Sequence, residues 1–146
     1  MPSSFPTTPS AAAAVPKVIV IQLTEQELMR TDGSNTTWLL NIIEARRFAR
    51  LGPNIAKLRV ELEVESATAN FSIRFTTAWS VSGRQWAAPS EIFASVTGNQ
   101  QLIGAWFSDD SKFGIHMRVA AEVKNAAGTA IESARVTAYL VIETKS

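Results

Sequence analysis

Side chains that could carry out chemistry are scarce in this 146-residue chain. It has one histidine, His116, and no cysteine, which excludes thiol nucleophiles, disulfides and cysteine-ligated metals. His116 lies between Ile115 and Met117 in an alternating segment, so we expect it on the outer face of a strand. A catalytic triad would need a nucleophile in a defined turn and a carboxylate beside this histidine, and no G-x-S-x-G turn is present. We therefore predict no enzyme, and removal of this exposed side chain should change stability by no more than ~0.5 kcal/mol.

Three carboxylates recur at every second position, at Glu61, Glu63 and Glu65. On a strand they would be about 6–7 Å apart, a separation that can serve glycoside hydrolysis. The same pattern is typical of a solvated strand whose acids pair with arginines. The arginines that could pair with them are Arg59 on the same strand and Arg74 or Arg118 across the sheet.

Asp109 and Asp110 stand together before Ser111 and could offer oxygen ligands to calcium. The segment lacks the alternating D-x-D-x-D-G spacing of a calcium loop, and a turn with side-chain-to-backbone hydrogen bonds explains it equally well. Glycine-rich phosphate loops are also missing. We expect neither a metal nor a cofactor.

Arg46, Arg47 and Arg50 form the one basic cluster, next to Glu44. With 14 basic and 13 acidic residues the chain carries a net charge of +1, too little to attract nucleic acid through its phosphates. The arginines either form ion pairs at a protein interface or lie on a solvated face. No apolar run reaches the ~18–20 residues of a membrane span, so we expect neither nucleic acid nor membrane as a partner.

Tryptophan offers a further kind of site. Trp86 follows the turn sequence SVSGRQ, where its ring could stack on a sugar or could cover one end of a sandwich. Trp38 is a second possible platform, with Asp109 and Asp110 as acceptors for sugar hydroxyls. A carbohydrate-binding module or lectin-like domain is therefore the alternative function.

The elements that would hold these residues are strands. In KLRVELEVE (57–65) the residues Leu58, Val60, Leu62 and Val64 share one face, the alternation of a half-buried strand. Similar alternation or apolar runs occur at 18–23, 36–43, 70–79, 91–96, 101–107, 113–123 and 131–143, and a short helix or irregular link is expected at 43–52. Seven or eight strands without a long helix predict an all-β antiparallel sandwich of jelly-roll or Greek-key order.

Two strands carry apolar residues on both faces. VIVIQL (18–23) is expected either to be central in its sheet or to be covered by a partner. In 131–143 the outward residues include Tyr139 and Val141, which suggests that another chain covers this face.

Residues 1–16 differ from the remaining domain, 17–146, because they hold four of the six prolines and no charged side chain. Proline disfavours helices and central strands, so an extended arm is expected. The arm has no basic segment followed by a long apolar one, so we do not expect export by a signal peptide. Its candidate contact residues are Pro2, Phe5, Pro6, Pro9, Val15 and Pro16.

The segment AWSVSGRQW (78–86) is similar to the S-x-x-G-x-x-W strand–turn–strand sequences of β-sandwich modules in phage virion proteins and of sugar-binding modules. The whole chain, with its uncharged arm and cysteine-free sandwich, resembles small auxiliary virion proteins of tailed phages. These include capsid decoration (cement) proteins and neck or tail components.

The resemblance implies a non-enzymatic structural protein, made in the host cytoplasm and located in the virion. Its partners would be other copies of itself, as a homo-oligomer, and other particle proteins such as the major capsid protein or a neck or tail protein. The arm would lie over neighbouring subunits.

Deleting residues 2–16 should lower the melting temperature of the free domain by no more than a few degrees. The arm has few large apolar side chains, each contributing about 1.5–3 kcal/mol when fully buried. We therefore expect the arm to contribute to assembly rather than to the stability of the domain. Incorporation into particles or oligomers should be weakened or abolished, as measured by a pull-down of truncated and full-length chains side by side. Equal incorporation of both chains would contradict the strap role of the arm.

Overall fold

The computed structural model describes residues 17–31, 35–49, 55–65, 72–108, 112, 115–123 and 132–145. The arm (residues 1–16), Arg50, and the Asp109–Asp110 pair lie outside these ranges, and the predictions made for them stay predictions.

The described residues form eight antiparallel strands and one short helix. Their bounds are β1 (Val18–Arg30), β2 (Thr36–Ile43), α1 (Ala45–Ala49), β3 (Ile55–Glu65), β4 (Ile73–Ser80), β5 (Ser90–Val96), β6 (Gln100–Ile103), β7 (His116–Val123) and β8 (Glu132–Thr144). Sheet A has the order β1-β8-β3-β6, and sheet B the order β2-β7-β4-β5. This order is that of a jelly roll, in which the chain passes repeatedly between two packed sheets. The predicted all-β sandwich is confirmed, as is the short helix within 43–52.

The core lies between the inner faces of the two sheets. The alternation predicted for β3 is confirmed, because Leu58, Val60, Leu62 and Val64 are all buried. Phe75 is completely buried and makes an edge-to-face contact with Phe93, at 6.4 Å between ring centres. Other core residues that the alternation placed correctly are Ile73, Trp79, Met117, Val119, Ala121, Val136, Ala138, Leu140 and Ile142.

β4 departs from simple alternation, because its outer face is buried as well. Thr76, Ala78 and Ser80 are almost fully inaccessible. The segment 81–89 folds back on the strand: Ala87 N donates to Trp79 O (2.9 Å), and Ser80 Oγ donates to Gln85 O (2.6 Å). This contact comes from a loop rather than from the strand itself, so the period-two pattern could not reveal it.

β1 is longer than its apolar segment predicted, and it is one of the two edge strands of sheet A within the described ranges. The alternative that 18–23 is a central strand is therefore wrong. Its ladder with β8 shifts register between Gln22 and Thr24, and at this bulge Asn41 Nδ2 of β2 donates to Leu23 O (2.5 Å). At its start, Thr144 N donates to Lys17 O (2.9 Å), so both ends of the domain meet.

β6 is shorter than the predicted 101–107 strand and ends at Ile103. Beyond it, Gly104 N donates to Val60 O (2.9 Å), and Phe107 exchanges two hydrogen bonds with Leu58. A Cβ atom at Gly104 would lie 2.9 Å from Val60 O, which is closer than real contacts allow. The chain can therefore approach β3 here because residue 104 is glycine.

A buried ion pair joins the far ends of β1 and β8. Arg30 and Glu132 lie opposite each other on the inner face, and Arg30 Nε donates to Glu132 Oε1 (3.0 Å). Their side chains are only 1% and 7% exposed. Removing one partner from such a pair leaves a buried charge without compensation, whereas replacing both by apolar groups is often neutral.

Arg30→Met alone should lower the free energy of unfolding by about 3–5 kcal/mol, because it leaves the buried Glu132 carboxylate without its arginine. Glu132→Leu is the second single variant, and the double variant combines both changes. The double variant should recover most of that loss, because no uncompensated charge remains. Urea denaturation of the wild type, both single variants and the double variant measures this coupling. Additive losses in the double variant would show that the two side chains stabilise the core independently.

Candidate assembly surfaces

An apolar groove lies on the outer face of sheet B. Leu39 and Ile42 of β2 are 50% and 39% exposed, and the register places them opposite Ala120 and Arg118 of β7. Pro89 and Thr76 complete the floor of this depression, about 260 Å³ in volume. We call it the sheet B groove. Exposed apolar side chains in a concave surface can accept side chains of a partner protein.

A charge cluster closes one side of the groove. Arg74 Nε donates to Glu91 (2.6 Å), and its Nη1 donates to Glu122, which also lines the groove. The hydrogen bond that Arg74 donates to Glu91, followed by the one it donates to Glu122, raises the pKa of Arg74 above its usual value. Because both carboxylates accept hydrogen bonds from Arg74, this arginine is already paired within sheet B.

The predicted arginine cluster borders the same groove. Arg46 and Arg47 of α1 surround a depression with Ile42 and Glu44, so Ile42 is shared with the sheet B groove. The Arg46 side chain is 78% exposed, and its Nε lies 2.5 Å from Glu44 Oε2. Both arginines are exposed beside an apolar surface. This arrangement fits both alternatives that the sequence left open, namely ion pairs at a protein interface and a solvated face.

Trp86 also lies on this side of the sandwich. The Arg118 guanidinium sits 4.8 Å from the centre of its ring, and Arg118 lines the sheet B groove. One face of the indole is therefore covered by an arginine. Trp38 is partly buried and packs against the core, which leaves less of its ring accessible to a sugar.

Sheet A carries a second apolar area, which we call the sheet A patch. Val18, Val20 and Ile103 are 58–65% exposed. Tyr139 is half-buried, and Val141 is buried although it lies on the outer face, between Val20 and Arg59. The last member is Trp106, whose ring lies 4.5 Å from Lys57 Nζ and 4.3 Å from the Arg59 guanidinium.

The predicted interaction residues are thus divided between two surfaces. Arg46, Arg47 and Trp86 lie around the sheet B groove, and Tyr139 lies on the opposite sheet. The sequence did not single out Leu39 and Ile42 as interaction residues, although TTWLLNII is apolar at five of its eight positions. The signal was obscured because a register shift between Leu39 and Asn41 changes the phase of the strand.

Two of the three glutamates of β3 are held by neighbouring side chains. Arg59 pairs with Glu61 (2.8 Å), and Gln101 Nε2 donates to Glu63 (3.3 Å). The expected pairing with Arg74 or Arg118 is wrong, because these arginines belong to sheet B while β3 pairs with β8 and β6. Within the described ranges no group of three or more His, Asp or Glu residues could hold a metal ion. Nor does any helix found there have the length and apolarity to cross a membrane.

His116 departs from the expectation of a free, exposed side chain. It lies on the outer face opposite Ser80, but it is half-buried, and its Nδ1 accepts a hydrogen bond from Ala45 N (3.1 Å) at the start of α1. A Cβ atom at Gly83 would come within 3.2 Å of Nε2, so the ring also packs against segment 81–89. The imidazole joins a helix, a loop and a strand.

No protein-family model matches the chain, and no curated protein matches it. Its fold is similar to that of viral capsid proteins. A structure of infectious bursal disease virus, Gt strain, matches with a TM-score of 0.63 and 11% identity, over 89% of this chain and 33% of that chain. The VP2 subviral particle of the same virus matches with a TM-score of 0.61 and 11% identity, over 89% of this chain and 32% of that chain. T=1 particles derived from this virus match with a TM-score of 0.59 and 13% identity, again over 89% of this chain and 32% of that chain.

These matches concern the fold, because the sequences share few residues. The chain spans about a third of the length of the viral chains that it matches. The similarity covers 89% of this chain, so it extends over most of the sandwich.

His116→Ala should lower the free energy of unfolding by about 1 kcal/mol, because the partly buried Ala45 amide loses its acceptor. This replaces the smaller effect that the sequence alone predicted. His116→Asn is the matched control, since its carboxamide oxygen can occupy the position of Nδ1. Denaturant midpoints of the three proteins measure the difference, and an alanine variant as stable as the wild type would show that the hydrogen bond contributes nothing.

Proposed function

We propose that the chain is a non-enzymatic structural protein of a virus particle and acts through protein–protein contacts. The observation that carries this proposal is the match of 89% of the chain to capsid structures at a TM-score of 0.63. A fold can serve many functions, so the surfaces must be considered as well.

The surfaces support contacts with proteins. Each sheet leaves large apolar side chains exposed on its outer face, at the sheet B groove and the sheet A patch. Apolar centres bordered by arginine and tryptophan are typical of protein interfaces. The His116 Nδ1 accepts from Ala45 N, and the hydroxyl of Ser80 opposite it donates to Gln85 O (2.6 Å) and accepts from Gly83 N (2.8 Å). Both side chains are engaged with the backbone, which favours a structural role.

The partners in this proposal are other copies of the chain and further particle proteins. The more specific form is a tailed-phage auxiliary protein, either a capsid decoration (cement) protein that binds the major capsid protein or a neck or tail component. Synthesis would take place in the host cytoplasm and the mature location would be the virion. Residues 1–16 would then serve as a strap over a neighbour.

Glycan binding, the alternative function, has less support. One ring face of Trp86 is covered by Arg118, and Trp38 packs inward. A glycan array with the full chain addresses this function directly, since Trp86→Ala would abolish any signal that depends on stacking.

Leu39→Lys should reduce incorporation into particles at least tenfold if the sheet B groove is a contact with another particle protein. The substitution places a charge in the apolar floor, where an uncompensated ammonium opposes burial. The measurement is an immunoblot of gradient-purified particles from a culture that produces the tagged chain.

Val81→Lys is the control, because Val81 is 81% exposed in the segment after β4 and away from the floor of the groove. It should incorporate like the wild type. If the wild-type chain stays in the soluble fraction and never sediments with particles, the proposed function is wrong. Normal incorporation of Leu39→Lys would instead exclude the groove as the contact.

A further inference from the structure

The edge of β1 that pairs with no strand of the described ranges consists of two unlike halves. An edge strand presents backbone N–H and C=O groups to which another strand can bind, and proteins usually protect such edges with bulges, charges or proline. The second half of β1 is protected: it starts at the bulge after Gln22, Asn41 binds Leu23 O (2.5 Å), and Glu25 and Glu27 follow. None of these protections occurs in the first half, Val18–Gln22.

The side chains of this first half are suited to strand pairing. Val18 and Val20 point to the outer face and are 58% and 60% exposed. Ile19 and Ile21 point inward and pack against the core, but they are only partly buried. An uncharged run of β-branched residues on an open edge is a site where another strand adds to the sheet.

We propose that Val18–Gln22 pairs antiparallel with the same segment of a second copy, about a two-fold axis at Val20. The two A sheets then join into one eight-stranded sheet. Val20 lies opposite Val20 of the second copy, and Ile19 lies opposite Ile21. The contact deepens the proposed function by naming an interface between copies, and it rests on that function for its role.

A second copy fits this edge because the segment is complementary to itself. In an isologous contact the same residues meet from both sides, and here every residue between Lys17 and Glu25 is uncharged. The partly exposed inner isoleucines then extend the two cores toward each other. A register centred on Gln26 would instead place Glu25 opposite Glu27, where like charges repel, and Asn41 would obstruct it.

The absence of cysteine gives a direct test. At a two-fold axis the two residues at position 20 face each other with Cα atoms about 4.5–5.5 Å apart, within the range of a disulfide. Val20→Cys in the full chain should form a reducible dimer, about twice 15.9 kDa, on mild oxidation. Val81→Cys, the exposed control, should react at least tenfold more slowly at equal concentration.

Analytical ultracentrifugation provides the second readout. The wild type and Val81→Lys should sediment as dimers, whereas Val20→Lys should shift to the 15.9 kDa monomer because two ammonium groups would face each other. A wild type that is monomeric at all concentrations, or equal disulfide formation at positions 20 and 81, would overturn the pairing.

The two proposals can fail separately. If the wild type is monomeric and still sediments with particles, the pairing is wrong and the proposed function stands. If the position-20 dimer forms but the chain never associates with particles, the edge contact is real and the proposed function is wrong.

Discussion

The structure depends above all on β8. This last strand lies between β1 and β3, pairing with β1 along Val18–Arg30 and with β3 along Ile55–Glu65. Its inner residues Val136, Ala138 and Leu140 also lie in the core. Sheet A therefore cannot exist until the C-terminal segment is in place. Contacts between such distant parts of a chain make folding slow, because long loops must close before the contacts stabilise anything.

Because the inner faces of both sheets are buried in the core, contacts with other molecules must be made by the outer faces and the edges. The two sheets differ in this respect. Segment 81–89 packs on β4 through hydrogen bonds to Trp79 and Ser80, and the exposed large apolar side chains in the strands of sheet B, Leu39 and Ile42, lie on β2. Sheet A exposes Val18 and Val20 beside an open edge. Each sheet thus offers one surface of its own.

Where one strand face is solvated, the sequence predicted the structure well. The charged residues of KLRVELEVE mark the outer face of β3, so both the strand and its buried residues follow from alternation. For β4 the sequence predicted the buried inner face, but it did not predict the burial of the outer face, on which a later loop packs. In β2 a bulge between Leu39 and Asn41 interrupts the inward–outward alternation, so alternation alone does not indicate that Leu39 and Ile42 both point outward.

The surroundings of the candidate site residues could not be predicted in the same way. His116 meets Ala45, 71 positions earlier, and Trp86 meets Arg118. Both contacts are made by residues on different elements, and nothing in the local sequence around either residue specifies its partner. Residue type gave the possible chemistry, whereas the pairing of distant strands decided which chemistry each side chain could take part in.

The hydrogen bond between Thr144 N and Lys17 O has a consequence for how this domain can be joined to other proteins. It places the first and last strands of the sandwich side by side at one corner, about 4.8 Å apart as neighbouring strands are. Domains whose ends lie close together tolerate insertion into a loop of another protein and circular permutation. The sandwich from Lys17 to Thr144 is therefore a portable module, because a host loop could carry it as a single insert without having to span its width.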